Sequence, residues 1–289
     1  MKPSNTTKVR LNVFKDYFKP PQLTYRVWKV WRRDFDVFVK TIKVNFMPPL
    51  LEPIFYLAAM GLGLGGIISP SELGGLSYIQ FIAPALLAIS IMNSSFFECT
   101  YGSFVRMYFQ KTFDAIIATP VNIEEVIAGE LLWGATRSLI SSSIVAGVIA
   151  FFSLIAVLLG LSPTYYLITN PLTLLIPFVA FLAGLTFSTI AMCFTALAPN
   201  IDFFNYPAFL LITPMFLISG TFFPLVRLPG LVQIIAQVFL PLTHAVNIVR
   251  NLFFANLGST VLLSLLWLLA VTPIFFILSV NMMRRKLIK

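Results

Sequence analysis

Charge is scarce in this chain. Asp, Glu, Lys and Arg make up 11% of its 289 residues, where a soluble domain carries about 25%, and 58% of the residues are hydrophobic at a mean hydropathy of +0.90. A fold that rests in water is excluded. Histidine occurs once, at His244, and cysteine twice, at Cys99 and Cys193. A single histidine rules out a His-built metal cluster and a Ser-His-Asp triad. Two cysteines inside apolar runs make neither a disulfide framework nor a four-cysteine zinc site. A phosphate cradle of the form G-x-x-x-x-G-K-[ST] is also missing, because Gly61, Gly63, Gly65 and Gly66 stand without the lysine. The early Lys2, Lys8 and Arg10 are not followed by the apolar core of a signal peptide. Paired aspartates or other catalytic constellations at membrane depth are lacking too, so an intramembrane enzyme has no support.

What the chain does have is long apolar sequence, with 29 Phe, 9 Tyr and 4 Trp spread along it. Six stretches come near the ~20 residues that a helix needs to cross ~30 Å of hydrocarbon. They cover roughly 46 to 67, 78 to 100, 131 to 160, 171 to 198, 206 to 224 and 259 to 282. The region 225 to 256 is apolar but broken by Pro229, Pro241, His244, Asn247 and Arg250, and reads as short helices dipping into the outer leaflet. The fold class expected is therefore all-α and polytopic, with six transmembrane helices and a re-entrant helical segment between spans five and six. Residues 1 to 24 read as a flexible cytoplasmic amino terminus ahead of a 25 to 43 interfacial helix and a 44 to 289 six-span domain.

Positive charge sets the expected sidedness. Of 20 Lys and Arg, 17 fall in the amino-terminal segment, in the loop after the second span (Arg106, Lys111) and in the tail (Arg284, Arg285, Lys286, Lys289). Lysine and arginine are retained on the cytoplasmic face, so both termini are expected in the cytoplasm of a bacterial plasma membrane. The net charge of +9 is then a topology signal; with this aromatic content it speaks for a membrane surface and against nucleic acid.

Residues 25 to 43, YRVWKVWRRDFDVFVKTIK, form an amphipathic helix. With Lys29 at zero, Arg26, Arg32, Arg33, Lys40 and Lys43 lie within about 60° on a 100° wheel, and Trp28, Trp31, Phe35, Phe38 and Ile42 lie between about 180° and 260°. A basic face opposite an aromatic face suits a helix lying among lipid headgroups. Trp28, Trp31, Arg32 and Arg33 are its expected anchors; packing on a soluble domain is the plainer alternative. Inside the spans, Glu130 and Arg137 share a helix face but stand ~10.5 Å apart along the axis. Each needs a partner from another helix, with Glu98 and Glu52 as candidates, in a structural network or in a substrate pathway gated by Arg137.

The stretch RMYFQKTFDAIIATPVNIEEVIAGELLWGATRS is the most informative. KTFDAIIAT makes one to two helical turns, stopped by Pro120. Asn122 then caps a new helix with Glu125 at its third position. This arrangement, a short helix followed by ATP-x-N and a Glu-containing rise into a Gly/Ala/Ser-rich span, resembles the ABC type-2 transporter permeases, in particular the branch of nodulation protein J and the antibiotic-resistance permeases. FLISGTFFPLVRLPG at 216 to 230 and LPLTHAVNIVRNLFF at 240 to 254 resemble the same family's external re-entrant segment. The resemblance covers about residue 25 to the end.

The resemblance implies a permease half of an ATP-driven exporter, paired with a second copy or a homologue in a bed of membrane lipids. It is not itself an enzyme: no cofactor is bound by this chain, and ATP and magnesium belong to a separate nucleotide-binding subunit. That subunit is implied to dock on the coupling helix at about 111 to 119, with Lys111, Thr112, Phe113, Asp114 and Ile117 as contacts. An amphipathic cargo, a glycolipid, lipid-linked polysaccharide or hydrophobic drug, is implied to move outward. The rival is an ion-gradient-driven secondary transporter, which asks for acidic residues at mid-membrane and usually for an inverted repeat.

Overall fold

The computed structural model describes residues 19 to 288, apart from 66, 69, 74, 161–166 and 168–169. Residues 1 to 18 of the expected flexible terminus lie outside the described residues. Among the described residues there is no strand. Helix α1 is Arg26–Lys40. Helix α2 starts as Ile42–Tyr56 and continues through Leu57–Leu62 and Gly63–Gly65. Then come α3 (Tyr78–Phe109), the short α4 (Thr112–Ile117), α5 (Ile123–Leu158), α6 (Pro171–Leu197) and α7 (Ile201–Ile218). A bent pair, α8 (Gly230–Phe239) and α9 (Pro241–Phe253), precedes α10 (Ser259–Leu287).

Among the described residues, helices α3, α5, α6, α7 and α10 are the 5 that are long and apolar enough to cross a membrane. The pair α8 and α9 turns by 88° at Leu240, as a broken span or a re-entrant loop does. The first expected span is helical but falls outside these five. Pro48, Pro49 and Pro53 interrupt its ladder, and Glu52 is exposed on it.

The second span differs most from expectation. It runs to Phe109 instead of stopping near 100, and contains two wide π turns, Glu98–Gly102 and Val105–Phe109. Arg106, expected in a loop, therefore sits on a helix. At 32 and 36 residues, α3 and α5 measure about 48 and 54 Å at 1.5 Å per residue, longer than a bilayer core. Each is thus long enough to project beyond it, and α4 joins them at one end.

Helix association within lipid depends on close backbone approach more than on apolar burial. Helix α5 packs along α6, α6 along α10, and α3 against both α5 and α6. Gly184 makes this fit possible: a Cβ there would collide with the Ser138 side chain of α5, whose hydroxyl donates to the Ala180 carbonyl at 2.8 Å. The Ala180-x-x-x-Gly184 pair thus serves a contact inside the chain. Gly134 likewise faces Cys99 and Ser188, and Gly129 faces Val30 of α1, with no room for a methyl group.

One end of the bundle gathers the carboxyl ends of α3, α6 and α10, the amino end of α5, and α4. We call it the basic end. Lys286 donates to the carbonyls of Thr195 and Ala198 at 2.9 and 2.6 Å, supplying the cation that a helix carboxyl end favours. Arg284 meets Glu124 at 2.7 Å. Residues 19 to 24 are strapped across this end, contrary to their expected looseness. Gln22 N–H donates to Glu124, the Thr24 hydroxyl to Glu125, and Asn281 to the Lys19 carbonyl.

Candidate functional site

Two features of the basic end carry chemistry: a charge cluster buried between α1, α3 and α5, and the exposed surface of α4. The cluster is centred on Arg106. Its guanidinium meets Glu130 Oε2 at 2.6 Å and Glu98 Oε1 at 2.8 Å, with Asp34 Oδ1 at 4.0 Å. Glu130 is fully buried and also accepts from the Ser103 hydroxyl at 2.6 Å. Glu98 accepts from Trp133 Nε1 at 2.9 Å and approaches Arg137 Nε at 3.3 Å, an ion-pair contact without hydrogen-bond alignment. Arg137 donates to Asn45 at 3.1 Å and lies over the Phe38 ring.

Glu98 and Arg106 are eight residues apart on one helix, about 12 Å along its axis in a regular α-helix. Their side chains converge over Gly102 between them. A Cβ at Gly102 would stand 2.9 Å from Glu98 Oε1 and 3.4 Å from Arg106 Nη1, so the bridge needs the bare glycine. Asp34 closes the cluster from α1. Burial, reinforced by the Glu130 carboxylate, pushes its carboxyl up to about 8 against the opposing pull of Arg106 and Arg33. Arg33 sits 3.0 Å from Asp34.

Two cavities flank the cluster and share Asn45 and Arg137. One of about 430 Å³ reaches Asp34, Glu98 and Gln110; the other, of about 300 Å³, continues past Glu52, Asn93 and Ser141. Together they make a polar seam between α2 and the spans, starting at the basic end.

The expected partners are partly met. Arg137 finds Glu98, whereas Glu130 finds Arg106 and not Glu52, because the extended α3 carries Arg106 to it. Glu52 lines the seam instead. Asp34, Ser103 and Asn45 were not singled out from sequence. The spacing Glu98, Gly102, Arg106 on one face was the available signal. Of the expected anchors, Arg32 is exposed and Trp28 is 56% exposed, while Trp31 stacks on Trp28 and donates to Thr136 of α5 at 2.8 Å.

Helix α4 is entered through Lys111 in the left-handed region, at φ 54°. Its contacts divide by face. Phe113 is fully buried in the core and Ile117 packs partly against it, so Phe113 is an anchor and not an outward-facing contact. Thr112 is half-buried, while Lys111 and Asp114 stand in the open as an ion pair at 3.9 Å. Asn122 N–H donates to Glu125 at 2.8 Å, the reciprocal arm of the expected capping box. Beside α4 a depression of about 500 Å³ is bordered by Ile117, Thr119, Asn122, Glu124 and Arg284. Arg26 closes one side by donating to the Pro120 carbonyl.

Sequence comparison matches residues 25–254 to the ABC-2 type transporter family. The chain belongs to that family. The permease is 34% identical to nodulation protein J of Rhizobium meliloti (strain 1021) over 266 residues, covering 89% of this chain and 92% of that protein. It is also 34% identical to nodulation protein J of Rhizobium leguminosarum bv. trifolii over 262 residues, covering 90% and 93%. It is 27% identical to the inner membrane transport permease YadH of Escherichia coli (strain K12) over 201 residues, covering 69% and 72%. No solved structure matches the permease. Family membership makes it a multi-pass membrane component of an ABC transporter and not itself an enzyme.

Proposed function

We propose that this permease is the transmembrane half of an ATP-driven exporter that moves an amphipathic molecule outward across a bacterial plasma membrane. The observation that carries the reading is the construction of α4. It is welded to the core through Phe113 and offers Lys111 and Asp114 outward beside an open depression. A helix of this kind transmits force. A separate nucleotide-binding subunit, holding ATP and magnesium, docks on α4 and the adjoining depression, and both termini lie with it on the cytoplasmic side. The buried cluster ties α1, α3 and α5 immediately above α4, so a push on α4 moves these helices as one body instead of dissipating in side-chain rearrangement.

The polar seam gives a headgroup a route from the basic end into the membrane, with Arg137 at the junction of its two cavities. The apolar face of α7, where Tyr206, Phe209 and Leu210 are 64%, 70% and 75% exposed, faces lipid or a second copy of the permease across the pathway. The test is reconstitution of the permease with its nucleotide-binding subunit in lipid vesicles. Asp114→Lys leaves membrane insertion intact and breaks the link between ATP turnover and transport. Wild-type coupling in that variant contradicts the docking role.

A further inference from the structure

At the end of the bundle opposite α4, a cavity of about 490 Å³ lies between the turn after α7, the bent pair of α8 and α9, and α10. That volume falls in the range of small-molecule sites. Among the described residues its lining has no aspartate or glutamate and one strong cation, Arg250. Among the side chains that the structure describes, no carboxylate comes within ion-pair reach of Arg250. The guanidinium instead donates to two carbonyls, Gly220 at 2.9 Å and Phe81 at 3.4 Å, and rests on the Phe81 ring at 4.0 Å. Its Nε is buried with no acceptor.

Two other lining residues show the same lack. The Ser219 and Thr243 hydroxyls are buried without a hydrogen-bond partner, their residues 2% and 8% exposed. A buried polar group without a partner is unfavourable, and three of them border this one cavity. Other polar residues of the lining are paired. His244 contacts Ser264 at 3.2 Å and the Gln237 carbonyl at 2.9 Å and stacks on Trp267, while Asn247 donates to Ser264 at 2.8 Å.

We propose that this cavity binds the phosphate of an amphiphile's headgroup. An uncompensated guanidinium selects an anion. Hydroxyl donors on two separate elements match several acceptor oxygens in different directions, as a phosphate presents them. The space left over holds the rest of a headgroup. The outer face of α8, where Leu231, Ile234, Val238 and Phe239 are 50% to 72% exposed, lies alongside for the acyl chain. The site needs neither ATP nor a nucleotide-binding subunit, so it stands or falls separately from the exporter reading.

The test is native mass spectrometry of the full chain in detergent, titrated with phosphatidylglycerol and, as a phosphate-free control, diacylglycerol. Wild type retains phosphatidylglycerol and not diacylglycerol, Arg250→Gln weakens retention at least tenfold, and Ser219→Ala with Thr243→Val weakens it severalfold. Should Arg250→Gln fail to fold, the paired hydroxyl variant decides alone. Displacement by inorganic phosphate shows that the phosphate itself is read; no displacement, with retention still dependent on these residues, shows that headgroup and chain are read together. Either supports the site. Equal retention of diacylglycerol, or wild-type retention of phosphatidylglycerol by the variants, overturns it.

Discussion

Removing Arg106 and Glu130 together should damage the permease less than the sum of the two single losses, and removing Arg106 alone should be the costlier of the two single changes. Arg106→Gln leaves Glu130, Glu98 and Asp34 facing one another at a site where Glu130 is fully buried. Breaking a buried pair by taking one partner costs about 3–5 kcal/mol, because the remaining charge is uncompensated. Glu130→Gln strands Arg106 less severely, since Glu98 still holds it at 2.8 Å, and should cost about 1–3 kcal/mol. The double variant replaces an ion pair by two amides and should fall short of additivity by about 1–3 kcal/mol. Cys99 and Cys193 supply the assay, as both are free and buried. A thiol-reactive fluorophore in detergent therefore reports unfolding, and Arg106→Gln should lower the midpoint by on the order of 10 °C. Strict additivity in the double variant, or an Arg106→Gln midpoint equal to wild type, would refute the central place given to this arginine.

Gly102→Ala should destabilise the same melt by about 1–3 kcal/mol even though alanine is the better helix former by about 1 kcal/mol, because the new methyl meets a Glu98 carboxylate that Arg106 and Trp133 hold in place. In a Glu98→Ala background the sign should reverse; a stabilising Gly102→Ala in the wild-type background contradicts the bridge. Asp34 should make stability fall with rising pH. Its native value of about 8 lies above the roughly 3.9 of an unfolded aspartate, so the native state holds a proton that the unfolded chain has lost. The associated stability is complete below about pH 4 and lost as pH rises towards 8, on the order of 5 kcal/mol at most. Arg33, Arg106, Glu130 and Glu98 all face this carboxyl. Asp34→Asn should flatten the melting-temperature profile between pH 5 and 8.5, and parallel profiles would contradict the assignment.

The helical, multi-pass character was legible because composition and run length dictate it: nothing but helices satisfies a backbone in hydrocarbon when strands are absent. The capped rise at Asn122 and the break at Leu240 were legible for the same local reasons. The charge cluster was only half legible. Cutting the second span near residue 100, at the length a bilayer requires, left Arg106 in a loop, whereas α3 continues as helix to Phe109. On the helical wheel of α1, Val27, Val30, Asp34 and Phe38 occupy an arc of about 100° to 180°. This is the face that α5 covers, and it was hidden between the more conspicuous basic and aromatic sides. Periodicity marks Phe113 as apolar, but which side of α4 meets the core depends on how α3 and α5 approach each other, and no local pattern encodes that.

Docking of a nucleotide-binding subunit on α4 is tested most directly by a photo-crosslinking residue at Asp114 in living cells. The expected result is an adduct between the permease and an ATP-binding chain, absent when the same group is placed at Leu231 on α8. Efficient labelling of position 114 by a membrane-impermeant reagent added outside the cell, with no such adduct, would contradict it.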